Sequence, residues 1–402
     1  MLRPGHVIVC GVLSLLCLGV VMVNSAGMEM APLGLGASVS VDTILLSRSS
    51  IYLCLAMLAM GAAAMLPVRR MADNASLPAE HAPRLTGLVL GTILILTALV
   101  TVYLPGLSRE MNGSHRWIAF DLPMVGALSI QPSEIAKWGT VVLCAWYLAR
   151  TGSGIRSFFS GLLPLMIACG AIILVILKED LGTGALVAMT FGCLLLASQA
   201  KRWHLLLPVA AGSGALAAAV MAEPYRLRRL ETFMDPYVDP QGAGYHMIQS
   251  MATVAGGQGW GRGLGNGLQK FGYLPEDTTD FLFAIICEEL GIFGAAMVAA
   301  LYILILWAGV LIVRREVRPM LKLLGLGFLA TLGGQALINM LVVTGWAPTK
   351  GIPLPLVSSG GTGWILTAAS LGVLVAIDRA QAHDEVAASS DTADDLPEGL
   401  AA

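Results

Sequence analysis

Three groups of residues in this 402-residue chain have types and spacings that could do chemistry. The first is acidic. Glu276, Asp277 and Asp280 lie directly ahead of an apolar run that opens at Phe281. A carboxylate there can serve as a general base or a metal ligand, or it can merely cap the helix that follows, as Thr278 and Thr279 also could. The second group is basic and glycine-rich. Arg226, Arg228 and Arg229 open a long polar stretch, and a glycine-dense run over 256–267, with Arg262 inside it and Lys270 just beyond, continues it. Backbone N–H groups at glycines approach a ligand closely, and beside cations they are a general way to hold phosphate. The same run could equally be a loop whose glycines pack against helices. Its GxGxxG-like matches follow no expected strand, so a dinucleotide site fails its context. The third group lies inside apolar runs. Glu134 and Lys137, spaced i,i+3, can neutralise each other or line a polar cavity. Glu288 and Glu289 need a polar partner, because a charge at membrane depth costs about 2.5–3.5 kcal/mol. Lys178-Glu179-Asp180 reads as a tight turn with Asp180 as a helix N-cap. The stretch 346–363, with Pro348, Pro353, Pro355 and four glycines, predicts an irregular, re-entrant entry into the last helix, with Lys350 toward a cavity.

Membrane helices must position these groups. The chain is 56% hydrophobic and 12% charged, against about 25% charged in soluble domains. Apolar runs recur that can cross a hydrocarbon core of about 30 Å. The reading is an all-α integral membrane protein of ten helices: 6–23, 51–68, 85–104, 134–148, 161–177, 181–199, 203–222, 281–313, 321–346 and 356–377. The eighth is long enough to tilt or break near Gly291. The first is a retained helix rather than a signal peptide, lacking a clean cleavage site. An even count puts both termini on one side. With that side cytoplasmic, 13 of the 24 Lys and Arg residues fall in short inner loops or at the two ends. The others, Arg109, Arg116, Lys137, Arg226, Arg228, Arg262, Lys270 and Lys350 among them, then gather toward the outer face, either as solvated loop charges or as an anion site. Two outer segments are long, 105–133 and 223–279, and the second is too long to be structureless without a function. Residues 1–380 form the membrane domain, and 381–402 read as a disordered acidic cytoplasmic tail. The seven cysteines all lie in apolar runs, so neither a disulfide nor a thiolate metal site is expected. A net charge of −2 points to no nucleic-acid partner.

Several motifs carry a family resemblance. Arg116-Trp117-Ile118, Gln131-Pro132-Ser133-Glu134-Ile135-Ala136-Lys137, Gly242–Tyr245, Gly263-Leu264-Gly265, Tyr273–Glu276, Thr279-Asp280-Phe281, Glu288–Gly291 and the 353–361 stretch, in that order, resemble the FtsW/RodA/SpoVE (SEDS) proteins. The resemblance runs from about Arg109 to Gly363, with the first three helices matching only in kind. It implies a peptidoglycan glycosyltransferase that polymerises lipid II into a growing glycan strand at the outer face of the bacterial cytoplasmic membrane. Such an enzyme works beside a class B penicillin-binding protein and other division proteins. It places the family's essential aspartate on Asp280 and implies substrate contacts at Arg116, Lys137, Arg226, Arg228, Arg262, Lys270, Glu276, Thr279, Lys350 and Ser358. Pro348-Thr349-Lys350-Gly351 looks more like the division members. Glu179, Thr278 and Ser359 depart from the family's usual Pro, His and Tyr. On this reading Asp280 takes a proton from the acceptor hydroxyl, and cations stabilise the departing pyrophosphate. No tightly bound cofactor is expected, though Glu276 or Asp277 could hold Mg or Mn at the pyrophosphate. A transporter or flippase, an elongation-type polymerase and a non-catalytic scaffold are the rival readings.

Overall fold

The computed structural model describes residues 3–27, 47–76, 84–104, 108–111, 114–122, 126–359 and 361–394. Helices dominate it. In chain order they are α1 (Pro4–Ala26), α2 (Arg48–Ala64), α3 (Val68–Ser76), α4 (Arg84–Val100), α5 (Pro132–Thr151), α6 (Leu163–Glu179), α7 (Leu181–Ala197), α8 (Arg202–Met221), α9 (Pro224–Met234), α10 (Tyr245–Gly256), α11 (Leu282–Arg315), α12 (Pro319–Val343) and α13 (Thr362–Asp394). Local chemistry sets several starts. Proline opens α1, α5, α9 and α12, where its missing N–H costs nothing. Asp180 caps α7 as expected, its Oδ1 accepting from the Gly182 and Thr183 N–H groups at 3.0 and 3.1 Å.

All ten expected stretches are helical over most of their length. By length and composition, seven helices can cross a membrane alone among the described residues, and α2 with α3, bent by 58°, makes an eighth. Of the remaining two, α7 has 17 residues and α5 carries Glu134, Lys137 and Arg150. Helix α11 breaks at Gly291, where φ is +63°, as the sequence predicts.

Three departures stand out. The chain is not purely α. Strands β1 (Ser108–Met111), β2 (Ser114–Leu122) and β3 (Gly126–Ile130) form an antiparallel sheet in the segment read as a loop. Met111 pairs with Ser114 around Asn112-Gly113, a strong two-residue hairpin signal, and β2 alternates through Ile118, Phe120 and Leu122. The polar segment 223–279 contains α9 and α10. Helix α13 runs on to Asp394, so the first part of the expected disordered tail is helical.

Two apolar clusters form the core. One joins α1, α11, α13 and the 352–357 segment, and the other joins α4, α5, α6 and α7. Helix α12 contributes to both. Within the irregular stretch between α12 and α13, Ile352 and residues 354–358 are buried in protein, which is what lets non-helical backbone exist there. The Gln335 amide donates to the Pro353 carbonyl at 2.9 Å, and the Tyr302 hydroxyl donates to that of Pro355.

Candidate active site

Asp280 is half-buried, two residues before α11 begins. The N-cap position belongs to Phe281, and no side chain caps the helix, so capping does not account for Asp280, Thr279 or Thr278. Instead, Asp280 is fixed through its backbone. The Asn339 Nδ2 on α12 donates to the carbonyls of Asp280 and Ile352, both at 2.8 Å. The Ser359 N–H donates to the Thr278 carbonyl at 2.9 Å. These bonds bring the acidic segment against the turn that carries Lys350 and Gly351. A Cβ on Gly351 would stand 2.7 Å from the Asp280 Oδ2, so glycine is needed for the approach.

Two further elements close on this pair. Arg229 of α9 donates to the Thr349 carbonyl at 3.2 Å, next to the half-buried Lys350. His246, in the first turn of α10, stacks on Phe281 with centroids 6.0 Å apart and planes 18° from parallel. Burial, then the Arg229 charge, hold its imidazole below the ordinary value, with Glu276 opposing. Glu276 is exposed at φ +55° and accepts from the Thr279 hydroxyl at 2.8 Å. Burial lifts the Asp277 carboxyl, and the Glu276 charge adds to the lift. Among the described residues no three His, Cys, Asp or Glu side chains converge on a point that would hold a metal ion.

The other expected contacts divide. Lys350, Glu276 and Thr279 are at the site, and Arg228 is exposed on α9 beside Arg229. Arg116 lies on β2 and Arg226 on α9, with their side chains outside the described part. Ser358 is buried, and its Oγ accepts from the Leu354 N–H at 3.0 Å, a bond that shapes the turn. Lys137 is turned inward. Its ammonium donates to both Glu134 oxygens at 2.8 and 2.7 Å and to Gln335 Oε1 at 2.7 Å, so the pair is neutralised within the protein. Lys270 is also fully enclosed, 2.9 Å from Glu289. The glycine-rich run does hold anions, but they are the chain's own carboxylates. Leu268 N–H donates to Glu288, and Gly265 N–H to Glu289, both at 3.0 Å. Arg262 lies 3.4 Å from Glu288.

Sequence reasoning missed Asn339, Gln335, His246 and the closeness of Gly351, while Arg229 was among the basic residues it singled out. Asn339 and Gln335 left a usable signal, since two amides four residues apart inside an apolar helix must find polar partners.

A family model described as "Cell cycle protein" and named for FtsW, RodA and SpoVE matches residues 6–383. The chain belongs to the FtsW/RodA/SpoVE family. A relative from Thioalkalivibrio sulfidiphilus, named as a probable peptidoglycan glycosyltransferase FtsW, is 36% identical over 92% of this chain and 88% of its own. The stage V sporulation protein E of Bacillus subtilis is 36% identical over 70% of this chain and 76% of its own. Among solved structures, a chain from work on the coordination of polymerization and crosslinking by a peptidoglycan synthase complex aligns with TM-score 0.69 at 26% identity, covering 93% of this chain and 97% of that one. The rod shape determining protein RodA of Thermus thermophilus shares the fold, with TM-score 0.61 at 24% identity over 93% of this chain and 96% of that one. As in other FtsW/RodA/SpoVE members, the polypeptide crosses the membrane several times.

Proposed function

We propose that this protein is a peptidoglycan glycosyltransferase of the division type, polymerising lipid II at the outer face of the cytoplasmic membrane. The observation that carries the reading is half-buried Asp280, its backbone carbonyl held by Asn339 and its carboxylate against the Lys350-Gly351 turn, with Arg229 alongside. The names of the relatives favour division over elongation. The likeness to a synthase-complex chain supports a crosslinking partner, a class B penicillin-binding protein.

In the reaction, Asp280 accepts the proton of a sugar hydroxyl as its oxygen attacks the anomeric carbon of the lipid-linked donor. The bond from that carbon to the pyrophosphate breaks on the opposite face, so configuration inverts. Pyrophosphate leaves as a stable anion and needs positive charge more than a proton, which Lys350, Arg229 and Arg228 supply. The Lys and Arg residues of the short loops at the opposite end support an orientation with this end outside and both termini in the cytoplasm.

The test is purified protein with its penicillin-binding partner and labelled lipid II, read as polymer on a gel. Asp280→Asn should lower the rate by about 10²–10⁴-fold, the range for a positioned general base. Full-rate polymerisation by that variant removes Asp280 from the role. Lipid II crossing vesicle bilayers with no polymer under any condition favours a flippase instead.

A further inference from the structure

Two adjacent carboxylates, Glu288 and Glu289, are each 1% exposed in the first turns of α11. Glu289 is a junction of three distant parts of the chain. The Ser25 hydroxyl at the end of α1 donates to both its oxygens, at 2.9 and 2.8 Å. Gly265 and Gly267 offer their N–H groups at 3.0 and 3.3 Å. Lys270 donates to it at 2.9 Å with both side chains wholly out of solvent. Glu288 anchors the next residues, accepting from the Leu268 and Gln269 N–H groups at 3.0 and 3.4 Å.

We infer that Lys270 and Glu289 are a positioning pair for the transfer reaction, closing a loop of the chain whose middle carries Asp280. The inference rests on the glycosyltransferase reading above. The pair is 19 residues apart in sequence, and Asp280 lies between its members. One side of the intervening segment continues into α11 at Leu282, so Asp280 is covalently fixed there. The other side leaves the pair at Lys270 and is carried forward by a chain of backbone bonds. Leu274 N–H donates to Gln269 O at 3.0 Å, and Phe281 and Thr279 N–H both donate to Glu276 O at 3.2 Å. Release at Lys270 would remove the tether nearest the start of the acidic segment, leaving it to the Glu288 bonds at Leu268 and Gln269, the Ser359 bond at Thr278 and the Asn339 bond at Asp280. Stability alone does not explain a buried ion pair, since well-packed apolar residues often serve as well. A charged pair with directional hydrogen bonds does fix a geometry, and misplacing a catalytic group by about 1 Å can cost on the order of 10²-fold in rate.

The test compares wild type, Glu289→Gln, and the double variant Lys270→Met with Glu289→Gln, which removes both charges together and keeps an amide for the loop N–H groups. The single variant strands a buried cation and can fail to fold, so the double variant decides. With the melting temperature close to wild type, it should show a kcat at least about tenfold lower with KM nearly unchanged, the signature of an interaction needed in the transition state. Amide hydrogen exchange should quicken over 271–281 and stay unchanged in α12. Wild-type kcat in the folded double variant, a loss confined to KM, or unchanged exchange over 271–281 would overturn the inference. If wild type itself makes no polymer, the glycosyltransferase reading falls, and the exchange measurement still decides whether the pair holds the segment.

Discussion

Gly351 and Asp280 approach so closely that a single methyl group separates working from displaced geometry. With the new Cβ only 2.7 Å from the Asp280 Oδ2, Gly351→Ala must push the carboxylate aside. The backbone there is compatible with alanine, so folding should survive while polymerisation falls by on the order of 10²-fold. Polymer yield and melting temperature measured on the same preparation check both halves. Titration adds a second prediction. The His246 imidazole is held below its ordinary 6.5, so the folded protein binds fewer protons than the unfolded chain as pH falls through that value. Stability therefore drops on the acid side. Asp277 has the opposite sign: its raised carboxyl favours the fold at low pH, and that contribution is lost as pH rises through the window above 3.8. His246→Gln should thus shrink the loss of melting temperature between about pH 7.5 and 5.5 and leave any change below that window in place. Asp280 was legible as a candidate because three acidic residues crowd a helix start. The pairing of Lys137 with Glu134 was open to the i,i+3 spacing, but the further bonds of Lys137 to Gln335 and of Lys270 to Ser25 were not, because those partners lie 198 and 245 residues away.

At the scale of elements, the long polar segment is more than a loop. It is two helices and a glycine-rich wrap that closes on α11. The Arg262 and Gly263 N–H groups donate to the carbonyls of Glu288 and Glu289, both at 2.9 Å, and Ile292 N–H donates to Gly259 O at 2.9 Å across the break. Gly291 makes the wrap possible. At φ +63° a Cβ would meet Gly259 O and Gly261 N at 2.5 Å. Gly291→Ala should destabilise the protein by the strain of a left-handed non-glycine residue, about 1–3 kcal/mol, and by the clash besides. A thermal melt is the check, and an unchanged midpoint would mean that the break does not hold the wrap. The break was readable as a glycine inside a run too long for one straight span. The sheet over 108–130 was readable too, since Asn112-Gly113 between apolar alternations is a hairpin signal. It was passed over because hydropathy marks a polar segment between spans without distinguishing strand from coil.

At the scale of the whole molecule the prediction concerns parity. Gly5 N–H at the start of α1 donates to the Asp378 Oδ2 of α13 at 3.3 Å, so α1 starts at the end where α13 arrives. That contact predicts an even number of crossings between them, one that seven freestanding helices would not supply. Contacts show how the number grows. Helix α5 starts beside the site, where Gln131 N–H meets the Thr362 hydroxyl at 3.4 Å, and it ends where Arg150 reaches the Asn74 carbonyl at 3.3 Å. Helix α7 also starts beside the site, with Gly182 packed on Ile352. With α5, α7 and the bent pair α2–α3 included, the predicted number is ten. The end opposite the site is knitted by residues from loops expected to be cytoplasmic. Arg84 donates to the Ser160 carbonyl at 3.3 Å, Arg318 lies 3.6 Å from both Asp73 and Asp384, and Arg69 pairs with Asp384. In a background without native cysteines, Asp239→Cys should react with an impermeant maleimide on intact spheroplasts. Ser153→Cys and Ser389→Cys should react only after permeabilisation. Labelling of Ser389→Cys from outside would break the parity that the Gly5–Asp378 contact requires. Labelling of Ser153→Cys alone from outside would instead take α5 and, to keep an even number, α7 out of the membrane and reduce the count to eight.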